Sequence, residues 1–225
     1  MKSIIFTSLF SFMFIQIACA QITQNTENTY ALPESRKVTF DLPFARKINV
    51  KTWDKKEVLL KTKLTADNEE VAKLHEMRVI ESNGSLLIKT DYADTGEKNR
   101  NICGCNDDKN RSRWNCICLE VSHEIFLPAN TVLNMETING DIEVRGLQGD
   151  IHLETINGFI DIAYSPQAQA DIEFSTINGD IYTDFDINKK GNLTKYSKDI
   201  KTQLNGGGPD LELETINGDI FFRKN

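Results

Sequence analysis

The sequence predicts an all-β protein: a parallel β-solenoid with an N-terminal β cap and a disulfide-clipped hairpin. Three observations predict it. Thr-Ile-Asn-Gly occurs four times, at Thr137–Gly140, Thr155–Gly158, Thr176–Gly179 and Thr215–Gly218, with starts 18, 21 and 39 residues apart. Apolar residues alternate between the copies, as in Ile142/Val144, Ile151/Leu153, Ile160/Ile162 and Leu211/Leu213, and period two marks a half-buried strand. Three consecutive nine-residue units run from Ile138 to Tyr164. A unit this short cannot bury its apolar face alone, so like must stack on like.

Taken from the start, residues 1–20 read as a secretory signal. Lys2 precedes an apolar run from Ile4 to Ile17, and Ala18-Cys19-Ala20 sets cleavage before Gln21. The run is too short to span a membrane. The rival reading lipidates Cys19, but Gln16 stands where a lipoprotein signal wants an aliphatic residue. The chain that remains is exported, to the periplasm or the cell surface, and has no membrane span.

Residues 21–130 form the cap region. Val38/Phe40/Leu42, Ile48/Val50/Thr52 and Val58/Leu60/Thr62 each alternate, and Trp53–Glu57 turns the second strand into the third. Asp67 followed by Glu70 resembles a capping box and opens a short helix that buries Val71 and Leu74 and includes His75. The Asn83-Gly84 turn starts a strand over 85–90, and a further strand over 120–127 ends at Pro128. The cap is expected because an open stack end exposes unpaired strand edges.

Losing the signal leaves four of the five cysteines, spaced Cys-x-Cys, ten residues, Cys-x-Cys. Pairing Cys103 with Cys118 and Cys105 with Cys116 fits one antiparallel register in a hairpin over 102–119, with both bridges on one face. An oxidising compartment favours disulfides; the alternative is a four-thiolate zinc or copper site. Trp114, beside Arg111 and Arg113 near the tip of the clipped loop, is the candidate ligand contact. Its other reading is an aromatic folded back on the hairpin.

Residues 131–225 form the repeat region, continuous with the cap. A five-residue strand and a four-residue corner make nine residues, and two strands make one coil. The corners are Asn139-Gly140, Gly149, Asn157-Gly158, Asn178-Gly179 and Asn217-Gly218, where glycine supplies the positive φ of a tight turn. The competing reading of Asn-Gly is an antiparallel hairpin. Against it, Thr-Ile extends the apolar column at the corner. The interval of 39 residues predicts a degenerate copy hidden between Thr176 and Thr215, and Gly206-Gly-Gly-Pro209 marks an irregular excursion.

Ile48–Val58, the segment Ile125-Phe-Leu-Pro-Ala-Asn-Thr-Val-Leu133 and the tandem Asn-Gly-Asp-Ile repeats together resemble the family of candidate adhesins of bacterial envelopes, relatives of auto-transporter adhesin head domains. The likeness runs from about Val38 to Phe222. It implies a right-handed solenoid and an envelope location, and little about activity.

Acidic residues dominate the outward positions: Glu136, Asp141, Glu143, Asp150, Glu154, Asp161, Asp171, Glu173, Asp180, Glu214 and Asp219. Arg145 is the only base between Met135 and Thr183, and the chain carries net charge -7. Such a face argues against nucleic acid and anionic membranes. It admits a calcium β-roll, although each unit has one glycine where that motif needs several. An enzyme such as a β-helix polysaccharide lyase or hydrolase needs converging carboxylates, whereas these spread along a face. His75, His123 and His152 lie apart, and His152 points outward. The expectation is a non-enzymatic, adhesin-like envelope protein without a cofactor, its surface suited to a glycan or to an envelope or surface protein.

Overall fold

The computed structural model describes residues 21–92, 119–186 and 198–225. The signal, the four-cysteine hairpin and Trp114 lie outside the described residues. Those described form β1 (Ile22–Ala31), β2 (Lys37–Asp41), β3 (Lys47–Trp53), β4 (Glu57–Ala66), α1 (Glu69–Ala72), β5 (His75–Ser82), β6 (Ser85–Tyr92), β7 (Leu119–Pro128) and β8 (Val132–Asn139). The chain continues through β9 (Asp141–Arg145), β10 (Ile151–Asn157), β11 (Ile160–Tyr164), β12 (Ala170–Thr176), β13 (Ile181–Thr183), β14 (Lys198–Leu204), β15 (Asp210–Asn217) and β16 (Ile220–Lys224).

The protein is all-β, in two mixed eight-stranded sheets. Sheet I runs β1-β4-β7-β3-β9-β11-β16-β13, and sheet II runs β14-β12-β15-β10-β8-β2-β6-β5. Each Asn-Gly copy carries the chain from one sheet to the other rather than back along its own sheet, so none is a hairpin. Neighbouring copies pair parallel and in register: Thr155 faces Thr137 and Thr215 across β10, and Thr176 faces Thr215 across β12.

Two-strand units therefore lie side by side through both sheets, but their order is not the order of the chain. β6–β7 is outermost, then β2–β3, β8–β9, β10–β11, β15–β16 and β12–β13. The C-terminal unit fills a place between the two units that precede it. The interval between Thr176 and Thr215 hides no further copy among the described residues; it contains β13 and the antiparallel edge strand β14, which pairs with β12. Antiparallel strands also close the other end, where β4 pairs with β7 and β1, and β5 with β6.

The core is the inward set of both sheets. Val38, Ile48, Leu133, Ile142, Leu153, Ile160, Leu213 and Phe222 are all fully buried, in one cluster that reaches from the first strands to the last. Each is worth roughly 1.5–3 kcal/mol of burial. A smaller cluster gathers Leu64, Val71, Leu119 and Val121 beneath α1. The helix is capped by Asn68, whose Oδ1 accepts from Val71 N at 2.9 Å. The expected capping residue, Asp67, lies one position too early. His75 is not helical but opens β5.

Position 123 shows inward polarity. His123 is 2% exposed, bonded to the Thr62 hydroxyl at 2.9 Å, with the His75 ring 6.4 Å away. Desolvation, and secondarily the neighbouring His75, push its pKa down to about 3; His75 is itself lowered by burial. Both rings are held neutral, so the unfolded chain takes up protons first. Their stabilisation is complete above the unfolded value near 6.5 and shrinks as the pH falls towards 3, by about 1.4 kcal/mol per pH unit for His123. The melting temperature should fall between pH 6.5 and 4.5. His123→Gln should lower the melt at pH 7 and flatten that slope.

Candidate interaction surface

The repeated tetrapeptide divides its four residues between two tasks. Each threonine is inward and buried, and its hydroxyl donates to a backbone carbonyl of the neighbouring unit. Thr137 donates to Leu42 O (2.7 Å), Thr155 to Gly140 O (3.2 Å), Thr215 to Gly158 O (3.2 Å) and Thr176 to Gly218 O (2.9 Å). The asparagine side chains at the corner form a ladder across four units. Asn157 donates to Asn139 (2.8 Å), Asn217 to Asn157 (2.8 Å) and Asn178 to Asn217 (2.9 Å).

The glycines sit where units nearly touch. A Cβ on Gly218 would lie 1.8 Å from Gly158 O, one on Gly179 1.9 Å from Gly218 O, and one on Gly158 2.1 Å from Gly140 O. A Cβ on Gly140 would lie 1.9 Å from Ala45 O, and one on Gly149 2.3 Å from Thr131 O. Close approach, not backbone sign, is what demands glycine: of these five only Gly158 has positive φ, 150°. Where aspartate follows, it joins the corner. Asp141 Oδ1 accepts from Phe159 N and Asp219 Oδ1 from Asp180 N.

Isoleucine is the odd member. Strand parity turns threonine in and isoleucine out, so Thr-Ile does not extend the buried column as the sequence reading has it. Ile138, Ile216 and Ile177 are 39%, 38% and 48% exposed, and Ile156 is half-buried in line with them. They stand in one column on the outward face of sheet II; their backbone groups bond neighbouring units, as Ile138 N bonds Pro43 O and Asn178 N bonds Ile216 O, but no bond of the corner uses their side chains.

Two residues earlier on each strand stand Glu136, Glu154 and Glu214, in register on β8, β10 and β15. Burial, then the nearby Glu212 and Glu154, raise the Glu214 pKa, the behaviour of crowded carboxylates. Further along, His152 Nδ1 meets Glu212 at 2.9 Å and Lys201 pairs with Glu173, so His152 is outward as expected. Asp150, Asp171 and Asp210 complete an acidic edge, with Asp210 N donating to Asp150 at 3.1 Å. Among the described residues, no group of three or more His, Cys, Asp or Glu is placed to hold a metal ion.

The outward face of sheet I carries its own set of ion pairs. Lys47 meets Glu143 at 2.8 Å, Lys51 meets Glu124 at 2.7 Å, and Arg46 meets Glu120 at 2.5 Å. Asp161, which the strand pattern places on the solvated face, is only 6% exposed. Arg145 and Arg223 cover it at 3.1 and 3.2 Å, and nothing in its local sequence signals Arg223, 62 positions away.

The fold is shared with a solved structure of a candidate cell adhesion protein from Clostridium sporogenes, at 11% identity and TM-score 0.52, over 90% of this chain and 100% of that one. A candidate adhesin from Bacteroides fragilis aligns at 11% identity over 90% of this chain and 97% of its own, with TM-score 0.23. A candidate lipid binding protein from Parabacteroides distasonis aligns at 10% over 90% and 96%, with TM-score 0.24. No protein-family model and no curated protein matches the chain. Among the described residues, no helix is long and apolar enough to cross a membrane.

Proposed function

We propose that this protein is a non-enzymatic, adhesin-like recognition module of the bacterial envelope, and that the outward face of sheet II is its recognition surface. The observation that carries this reading is the isoleucine column. Threonine, asparagine and glycine of the repeat each serve the contact between units; isoleucine joins that contact through its backbone alone, and its side chain stands exposed in register beside a column of glutamates. Exposed apolar residues in an ordered array mark contact surfaces, and repeat folds present such arrays along their length.

In this reading the two sheets are opposite walls of a β-solenoid. The antiparallel strands at its ends act as caps that shield unpaired edges. The 21–130 and 131–225 regions form one continuous domain, since their inward residues share a core. The chain is delivered to the periplasm or cell surface by its first twenty residues. Cys103–Cys118 and Cys105–Cys116 are disulfides that clip the hairpin bearing Trp114. The shared fold and the repeat of carboxylates in columns along the sheet, four of which (Asp171, Glu173, Asp210 and Glu212) also line a surface cavity beside Lys201, support a binding role over catalysis.

The test is a binding screen of Gln21–Asn225 against envelope polysaccharides, glycans and extracellular matrix proteins. It is repeated with Ile138, Ile177 and Ile216 changed to Ser, at sites exposed enough to keep the fold. A reproducible partner lost from the triple variant is the expected result. A partner indifferent to the triple variant, or no partner at all, would overturn the assignment of this face.

A further inference from the structure

A second feature lies on the other sheet, at the end where β13 is the outermost strand. Register places Asp161, Phe221 and Tyr182 in one outward column across β11, β16 and β13. The Tyr182 ring lies on the Phe221 ring, centroids 5.2 Å apart and planes 11° apart. Phe159 meets Phe221 edge-on at 6.0 Å, and the Arg223 guanidinium stands over it at 5.0 Å. Phe221 is thus held by Phe159 and Arg223, and Tyr182 rests on Phe221. Tyr182, on the last strand of sheet I, is 49% exposed.

This arrangement is not demanded by the core. The aromatics that close this end inward are Phe174, Phe185 and Phe222, all buried and mutually packed. Tyr182 points the other way, and a polar residue would serve that outward position equally well. A preorganised ring with an open face offers an apolar surface at little conformational cost.

The rim decides the ligand class. Arg145, Arg223, Lys198 and Lys224 stand around this end of the sheet, and so do Asp161, Asp180, Asp184 and Asp219. Arg145 and Arg223 bond Asp161, Lys198 bonds Asp180, Asp219 accepts from Asp180 N at 2.8 Å, and Asp184 accepts from the Lys224 backbone N at 3.2 Å. Four cations and four carboxylates leave no net charge to attract a phosphate, a polyanion or a cationic peptide. What the rim does offer is a mixture of donors and acceptors beside an apolar ring face. A neutral pyranose matches both: one face of C–H groups and an edge of hydroxyls that donate and accept.

We propose that the Tyr182–Phe221 column is a saccharide-binding platform. Tyr182 takes the C–H face of a neutral hexose unit, and Arg223 and Asp180 bond its hydroxyls. The site is independent of the isoleucine face, which lies on the opposite sheet.

The experiment is amide NMR of the full chain titrated with cellohexaose, laminarihexaose and chitohexaose, each to concentrations on the order of 10 mM, the range of weak single-ring recognition. The expected result is a saturable shift centred on Ile181, Tyr182 and Phe221 with at least one of them. Tyr182→Ala should weaken it about tenfold, the equivalent of one stacked ring, while Tyr182→Phe keeps it. Absence of shifts with all three sugars, or shifts indifferent to Tyr182→Ala, would overturn the proposal. The Ile138/Ile177/Ile216 variant should bind the sugar unchanged, so the two surfaces succeed or fail separately.

Discussion

Removing residues 210–225 should abolish cooperative folding of the C-terminal half, although the cut takes only the last two strands. In a stack laid down in chain order, such a truncation would shave off an end and leave the rest standing. Here β15 and β16 are interior: β15 bonds β10 on one side and β12 on the other, and β16 lies between β11 and β13. Leu211, Leu213, Ile220 and Phe222 are each at most 1% exposed. At roughly 1.5–3 kcal/mol apiece, their loss is comparable to the whole stability of a domain, about 5–15 kcal/mol. The truncated chain should give a broad, low-temperature transition by circular dichroism. A sharp melt near that of the intact protein would show that β12 can dock on β10 directly and that the interleaved order is dispensable.

The second large effect is expected at a single methyl group. Gly218→Ala puts a Cβ 1.8 Å from Gly158 O and 2.6 Å from its carbonyl carbon. Both are backbone atoms held by the strands on either side. No rotamer change relieves the clash; the units must part locally, weakening the asparagine ladder and the Thr215 bond. Overpacking of this kind costs about 3 kcal/mol or more, which for a chain of this size lowers the melting temperature by roughly 6–12 °C. Gly84→Ala is the control. Gly84 has φ of 72° and nothing within 4 Å of the added atom, so only the left-handed backbone is penalised, by about 1–2 kcal/mol. Equal losses at the two positions would mean that conformation rather than proximity fixes the corner glycines.

Much of this architecture is legible in the residues, and the rest fails to show for definite reasons. Alternation finds β2, β3, β4 and most of the repeat strands, and turn and proline signals find β6 and β7, because the inward face of each is apolar and buried. β1 escapes because seven of its inner eight residues are exposed, leaving a polar segment with no hydropathic period to detect. The order of units escapes for the opposite reason. Four near-identical copies are equivalent neighbours for one another, so nothing local says that the fourth belongs between the second and third.

The exposed isoleucines could have been found. From Leu133 and Met135, parity assigns Thr137 inward and Ile138 outward, but the greater hydropathy of isoleucine outweighed parity in the reading. Buried Asp161 could not have been found, because its cover comes from Arg223 on a strand distant in sequence. The Tyr182 platform is similarly spread, with Phe159, Tyr182 and Phe221 joined only by strand pairing.

The interleaved order also constrains how the chain can be wound. Strands made early cannot all take their final neighbours in the order in which they emerge, because one slot must wait for a segment made last. Any machinery that passes this polypeptide N-terminus first, whether ribosome or secretion pore, therefore handles a C-terminal third that stays unzipped until the final residues clear the exit. The β12–β13 unit is then locked from within, by a keystone rather than by a lid.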